Sequence, residues 1–209
     1  MRMSAQLHEY SAKELSKETW PDFERLFLKQ GVVGDGWWCW CTYHHPLSLS
    51  SAESKQLSTR AARSVKNRRV KRTLVEKGRA HGILLYANGE PVGWCQFGPK
   101  EELSRIDNRA KYRKVTLDST DSKLWRTTCF VVDEKYRRRG VASAALKVAL
   151  EAIRKKGSGL VEAYPVSKTD QGSNYMYSGT VTMFEKAGFK VVAPLGEGRT
   201  TTVVMRRTI

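Results

Sequence analysis

The run Leu124-Trp125-Arg126-Thr127-Thr128-Cys129-Phe130-Val131-Val132-Asp133-Glu134-Lys135-Tyr136-Arg137-Arg138-Arg139-Gly140-Val141-Ala142 decides the architecture of this chain. Its first nine residues are aromatic and β-branched and read as a strand. From Val141 to Lys156 the apolar residues Val141, Ala145, Val148, Ala149, Ala152 and Ile153 recur on one side of a helix. A short basic loop ending in Gly140 joins the two. A helix start leaves several N–H groups unpaired at the positive end of the helix dipole. Gly140 lets a ligand approach the backbone, and Ala142, Ser143 and Ala144 keep side chains small there. The loop therefore suits a pyrophosphate, with the arginines adding charge around it. The plainer alternative is an exposed basic turn. Neither a G-x-x-x-x-G-K-[ST] run nor a G-x-G-x-x-G run occurs.

Reading outward, Gly159–Val166 is a second strand, Thr180–Ala187 a short helix closed by Gly188, and Phe189–Pro194 with Thr201–Arg206 a final strand pair. Upstream, Gly82–Tyr86 and Val92–Phe97 flank Asn88-Gly89, a hairpin signal because that pair tolerates positive φ. Gly98–Asp121 is polar and reads as a mobile excursion. Ser54–Lys77 reads as a helix with Leu57, Ala61, Val65, Val70 and Leu74 buried. Ser11–Gln30 reads as another, capped by Ser11 with Glu14 at the capping-box position and interrupted at Pro21. Alternating helices and strands place the chain in the α/β or α+β class. One domain over 1–209 is expected: a helical, basic, Trp/Cys-rich part (1–81) and a core (82–209).

The 209 residues suffice for a core, and 40% of them are hydrophobic, which argues against global disorder. Lys and Arg number 37 against 21 Asp and Glu, a net charge of +16. That balance suits anionic partners or simply solubility. The four cysteines, Cys39, Cys41, Cys95 and Cys129, lack the spacing of a secreted disulfide framework and are read as reduced. The first ten residues have no apolar core of a signal peptide, and no apolar run has membrane-spanning length. A cytoplasmic location with no membrane partner is the expectation.

Arg137-x-x-Gly140-x-Ala142 resembles the Q/R-x-x-G-x-G/A signature of the GCN5-related N-acetyltransferase (GNAT) superfamily, and Met183-Phe184-Glu185-Lys186-Ala187-Gly188-Phe189 resembles that family's later helix ending in Y-x-x-x-G-F. The resemblance covers about Gly82 to Arg206. It implies a mixed, mostly antiparallel central sheet flanked by helices, with a V-shaped cleft between the fourth and fifth strands. It implies acetyl-CoA as acyl donor, no metal, and direct attack by an amine acceptor, either a small molecule or a protein. Phe130, Val131 and Val132 would then lie along the pantetheine. Arg137, Arg138, Arg139, Gly140, Val141, Ala142 and Ser143 would surround the pyrophosphate. An amide near Val131 would polarise the thioester carbonyl.

The family's tyrosine acid falls on Phe184, which has no proton to give. Tyr177, Tyr164 and Tyr175 are nearby replacements, and Asn174 stands close to the family's asparagine position without matching its register. Glu162 is the candidate base, on a strand face shared with Leu160 and Tyr164. Trp37-Trp38-Cys39-Trp40-Cys41-Thr42-Tyr43-His44-His45 has three readings. It binds a metal through Cys39, Cys41, His44 and His45, although zinc sites more often use C-x-x-C. It walls the acceptor pocket through Trp38, Cys41 and His44. Or it is core filler. Arg60, Arg63, Lys66, Arg68, Arg69, Lys71 and Arg72 form a positive face on the 54–77 helix, either solvated or in contact with nucleic acid or a ribosomal surface. A nucleic-acid- or ribosome-associated protein that keeps this fold is the rival function. A homodimer through the C-terminal strands stays open.

Overall fold

The computed structural model describes residues 10–29, 38–46, 57, 59–115, 117, 122–170, 176–196 and 199–209. The elements are β1 (Ser11–Glu14), α1 (Trp20–Lys29), α2 (Arg60–Glu76), β2 (His81–Ala87), β3 (Glu90–Pro99), α3 (Ala110–Arg113), β4 (Leu124–Val132), α4 (Val141–Lys155), β5 (Leu160–Ala163), β6 (Val166–Thr169), α5 (Val181–Lys186), β7 (Lys190–Pro194) and β8 (Thr200–Thr208). Single helical turns lie at Ser104–Ile106 and Glu134–Tyr136.

The strands form one open sheet in the order β1-β2-β3-β4-β5-β8-β6, with β7 on β8. Among the described residues its strands pair antiparallel except β4 with β5. The β2–β3 hairpin turns at Asn88 (φ 51°) and Gly89 (φ 79°), as the Asn-Gly pair predicts. α4 covers one face of the sheet, burying Val141, Leu146, Leu150 and Ile153. Each such side chain contributes about 1.5–3 kcal/mol of transfer free energy. Gly93 on β3 admits the start of α4, because a Cβ there would stand 2.4 Å from Val141 Cγ1. On the other face, α1 packs Trp20, Phe23 and Phe27 against Trp40, Trp94 and Val131.

Three expectations about local structure change. Ser11–Glu14 is a strand paired with Ile83–Tyr86, so Ser11 caps no helix and the helix begins at Trp20. Pairing with β2 overrides the capping-box pattern. The buried edge of α2 runs through Ser64, Lys71 and Val75, while Val65 is 65% exposed. The helix docks on the 38–41 turn, which needs polar partners: Trp40 donates its indole N–H to Ser64 Oγ at 2.9 Å, and Asn67 donates to the Trp38 carbonyl. The 100–115 segment is folded onto the sheet, with Leu103 and Ile106 buried and Arg126 donating to the Leu103 carbonyl and to Asp107. Among the described residues no helix is long and apolar enough to cross a membrane.

Candidate functional site

β4 and β5 run side by side for only four residues, Leu124–Thr127 against Leu160–Ala163. Beyond them β5 bends at Tyr164-Pro165 and follows β8, which pairs β5 at Ala163↔Met205 and β6 at Val166↔Thr202. β4 continues past Thr127 paired with β3 and no longer with β5, so the two strands part and a V opens. The turn at 176–180 lies between the arms. Phe130 donates its amide to the Tyr177 carbonyl at 2.6 Å, and Val166 donates to the Gly179 carbonyl at 3.0 Å. Gly179 holds φ 82°, and a Cβ there would meet Met183 Cε at 2.5 Å.

A bulge sits on β4 at the vertex. Gln96 pairs with Cys129 and Phe97 with Thr127, leaving Thr128 as the extra residue. Thr128 donates its hydroxyl to Gln96 Oε1. The bulge resets the alternation, so Phe130 joins the core under α4 while Cys129 and Val131 face α1. Asp133 donates its amide to the Val92 carbonyl. By alternation the Val131 amide also faces β3, while the amides of Phe130 and Val132 point toward the cleft. The Val131 amide, expected to face a thioester carbonyl, thus faces β3 instead, and of its two neighbours Phe130 already gives its amide to Tyr177. Thr127 Oγ1, buried at the vertex, has no hydrogen-bond partner among the described residues, a feature that no sequence pattern marks.

At the far end of β4 the chain makes a helical turn at Glu134–Tyr136 and then enters the arginine loop. Arg138 (φ 60°) and Gly140 (φ 79°) are both left-handed, and Gly140 is the N-cap of α4. Among the described residues no side chain caps that helix start. The first N–H groups of α4 therefore point outward from an exposed loop, with Arg137, Arg138 and Arg139 around them. Arg139 lies over the Tyr136 ring at 5.7 Å. This is an anion cradle by geometry and charge.

Glu162 is fully buried where β4 and β5 are still paired. It accepts from Tyr112 Oη at 2.7 Å, from Tyr164 Oη, and from Arg206 Nε at 2.9 Å, and Arg126 Nε lies 3.8 Å away. Both of its oxygens are thus engaged. That occupancy argues against the free general base expected from the sequence. Tyr164 is held in the same cluster, and burial pushes its phenol well above the ordinary value. Tyr112, Arg126 and Arg206 went unremarked in the sequence, because their meeting depends on the fold of the 100–115 segment. Tyr177 differs. It is 45% exposed and stands near Cys129, Arg109, Tyr43 and Cys39. Burial of part of the residue, then the Cys129 thiol, hold its pKa above the usual tyrosine range. Tyr175 and Asn174 lie outside the described residues, as does Trp37.

The 38–45 segment folds against the α1 face of β4. Trp40 and Cys41 are buried, with φ of 47° and 51°. Trp40 stacks on Phe27 at 5.6 Å. His44 is buried, its Nδ1 has no partner among the described residues, and its pKa is pushed down to about 3, by burial first and then by Arg109, Arg126 and Arg105. His45 is pushed down to about 2, again by burial first and then by Lys71. Both imidazoles are neutral at neutral pH. Trp38 and Cys39 are half-buried. Among the described residues no three His, Cys, Asp or Glu side chains are grouped to hold a metal. The structure thus brings Cys39, Cys41, His44, Cys129 and Tyr177 to one side of the V, and places Glu162 and Tyr164 at its closed end.

The sequence matches the Acetyltransferase (GNAT) family over residues 43–180. No curated protein matches it significantly. Among solved structures, an N-acetyltransferase from Staphylococcus aureus Mu50 is similar with a TM-score of 0.53 and 11% identity, covering 95% of this chain and 98% of that one. The yncA protein from Salmonella typhimurium, solved with its cofactor acetyl-CoA, gives 0.52 and 10%, covering 96% and 94%. The paia N-acetyltransferase from Thermoplasma acidophilum, solved with coenzyme A, gives 0.51 and 13%, covering 96% and 99%. At such identities these likenesses speak to the fold.

Proposed function

Since the family match spans most of its length, the chain belongs to the GNAT acetyltransferase family, and we propose that it moves an acetyl group from acetyl-CoA to an amine acceptor by direct attack. The observation that carries this reading is the pairing of two features on one strand: β4 parts from β5 after Thr127, and it leads into an uncapped helix start ringed by arginines. A diphosphate fits the second feature. The amides of α4 from Val141 to Ser143 are without a side-chain cap, Gly140 adds no side chain, and Arg137–Arg139 supply positive charge.

The donor brings an activated acetyl thioester; the rest belongs to this chain's residues. The cleft-facing amide of Val132 is suited to pair with the donor's pantetheine, since Phe130 already gives its amide to Tyr177. Tyr177 is the proposed acid: it gives its proton to the leaving thiolate, and the proton lost by the attacking neutral amine passes through solvent and restores the phenol. Its phenol is protonated at neutral pH and partly exposed, and its backbone is pinned beside β4. His44, buried, neutral and edge-on to Tyr43, backs the acceptor wall rather than carrying a proton. Trp38 and Cys41 belong to the wall around it. Glu162 and Tyr164 hold the vertex of the V together with Arg126 and Arg206. The protein amines of basic or acidic partners are acceptors as well as small amines in this reading, and the exposed cations of α2 offer an anionic partner a place to rest.

Amine-dependent release of the coenzyme A thiol from acetyl-CoA tests the proposal. The panel should hold small amines, amino acids, aminoglycoside-type compounds and protein amino termini. Release with one class, reduced in Tyr177→Phe, is expected. No release with any class would overturn it.

A further inference from the structure

Three of the four cysteines meet behind β4, around a buried ammonium group. Cys41 Sγ lies 3.0 Å from Cys129 Sγ, although the residues are 88 apart in sequence. A disulfide bond is about 2.05 Å long, so closure needs a shift of about 1 Å. Cys39 hydrogen-bonds through its thiol to Cys41 and is itself half-buried, so it leads from the pair toward the surface. The turn that aims these thiols inward has two successive non-glycine residues at positive φ, Trp40 and Cys41. Lys71 Nζ is fully buried and has no hydrogen-bond partner among the described residues. It faces the rings of Phe23 at 5.9 Å and Trp94 at 5.6 Å. Of the ionisable groups acting on it, three are the thiols of Cys41, Cys129 and Cys39. Cys95 is different. It packs in the other core, under α4, with its thiol toward the Gln96 carbonyl.

We propose that Cys41 and Cys129 are an oxidative modification site, at which a hydroperoxide-class oxidant closes a reversible disulfide that staples the 38–45 turn to β4. A buried thiol is ordinarily inert. Here a partner sulfur is already in contact and a third thiol gives an approach; burial first pushes the Cys41 thiol well above its ordinary value, and the Lys71 ammonium opposes that rise. The chemistry balances. One thiolate attacks the peroxide oxygen, the O–O bond breaks, and the leaving alkoxide or hydroxide takes a proton. The resulting sulfenic acid is attacked by the second thiol, the S–O bond breaks, and water leaves. Two thiols are oxidised and one peroxide is reduced by two electrons. Where Cys39 reacts first, it condenses with Cys41, and Cys129 then attacks the Cys41 sulfur and expels Cys39 as thiolate.

Cys129 precedes Phe130, whose amide holds the turn carrying Tyr177. The staple therefore acts on the acceptor side of the V. That consequence rests on the function proposed above; formation of the bond does not. The test is peptide mapping of the whole protein after hydrogen peroxide, with and without a dithiol reductant. A Cys41–Cys129 linked peptide that the reductant removes is expected, with Cys95 still free. Lys71→Met is expected to slow linkage several-fold, because the ammonium opposes the burial that holds the Cys41 thiol up. Should that variant misfold, the wild-type map alone decides. Four free thiols after oxidation, a Cys39–Cys41 link as the end product, or loss of Cys95 at the same rate would each overturn the proposal. Because the map reads thiols, it succeeds or fails independently of acetyl transfer.

Discussion

Lys71 brings a charge into a pocket of aromatic rings and thiols, and burial lowers its pKa to about 8 from 10.5. The unfolded chain therefore binds this proton more tightly than the folded one. Below about pH 8 the lysine is charged in both states and the penalty is complete. As pH rises from about 8 to about 10.5 the folded state gains about 3 kcal/mol. Lys71→Met should remove that rise, which urea titrations of both proteins at about pH 7 and about pH 10 would reveal as a difference that shrinks with pH. His44 and His45 act at the other end. Their pKa values are depressed to about 3 and about 2, so their contribution is present above 6.5 and is lost as pH falls toward those values. Acid denaturation should begin below about pH 6, and His45→Gln should flatten that limb by leaving one fewer buried imidazole to charge. None of this was legible in the sequence. Lys71 stands among seven cations between 60 and 72, and only the docking of the helix on Trp38–Cys41 decides which one turns inward.

The elements near the cleft were read more directly. β4 has the bounds its composition predicts, and α4 begins at Val141 as expected. A buried strand and an amphipathic helix carry their periods locally, so the sequence suffices. β1 and the 100–115 segment were misread because their partners lie far along the chain, in β2 and in the Arg126–Glu162 cluster. The cluster sets an expectation of its own. Glu162→Gln leaves Arg206 and Arg126 facing a neutral amide in a buried place, and should lower stability by roughly 3 kcal/mol or more. A thermal melt checks this. An unchanged melt with reduced turnover would return Glu162 to the role of base. Gly140 tests the other element boundary. Gly140→Leu places a side chain at a left-handed N-cap, costing about 1–2 kcal/mol in backbone strain. It should weaken acetyl-CoA binding at least about tenfold while the circular dichroism spectrum stays native, because the phosphate approach is what the side chain blocks.

At the scale of the molecule, the net charge of +16 and an open sheet with one parallel junction do different work. The junction makes the V, and the charge surrounds it with a field that favours anionic ligands. The family motif points to the arginine loop as the proposed cofactor side from one short stretch of sequence. The acceptor side is not marked in this way, since it is assembled from a turn before α2, the middle of β4 and the turn before α5, which no single stretch of sequence contains. Charge also separates the two functions weighed from the sequence. Binding to a nucleic-acid backbone should weaken steeply with salt, in proportion to the phosphates neutralised. A donor held by amides and a handful of arginines should respond far less. Isothermal titration calorimetry of the purified protein with acetyl-CoA, with ATP as comparator, at low and high salt, tests the central claim most directly. Saturable binding of one acetyl-CoA per chain, much tighter than ATP and retained at high salt, is the predicted result; no heat with acetyl-CoA, or equal affinity for ATP, would contradict it.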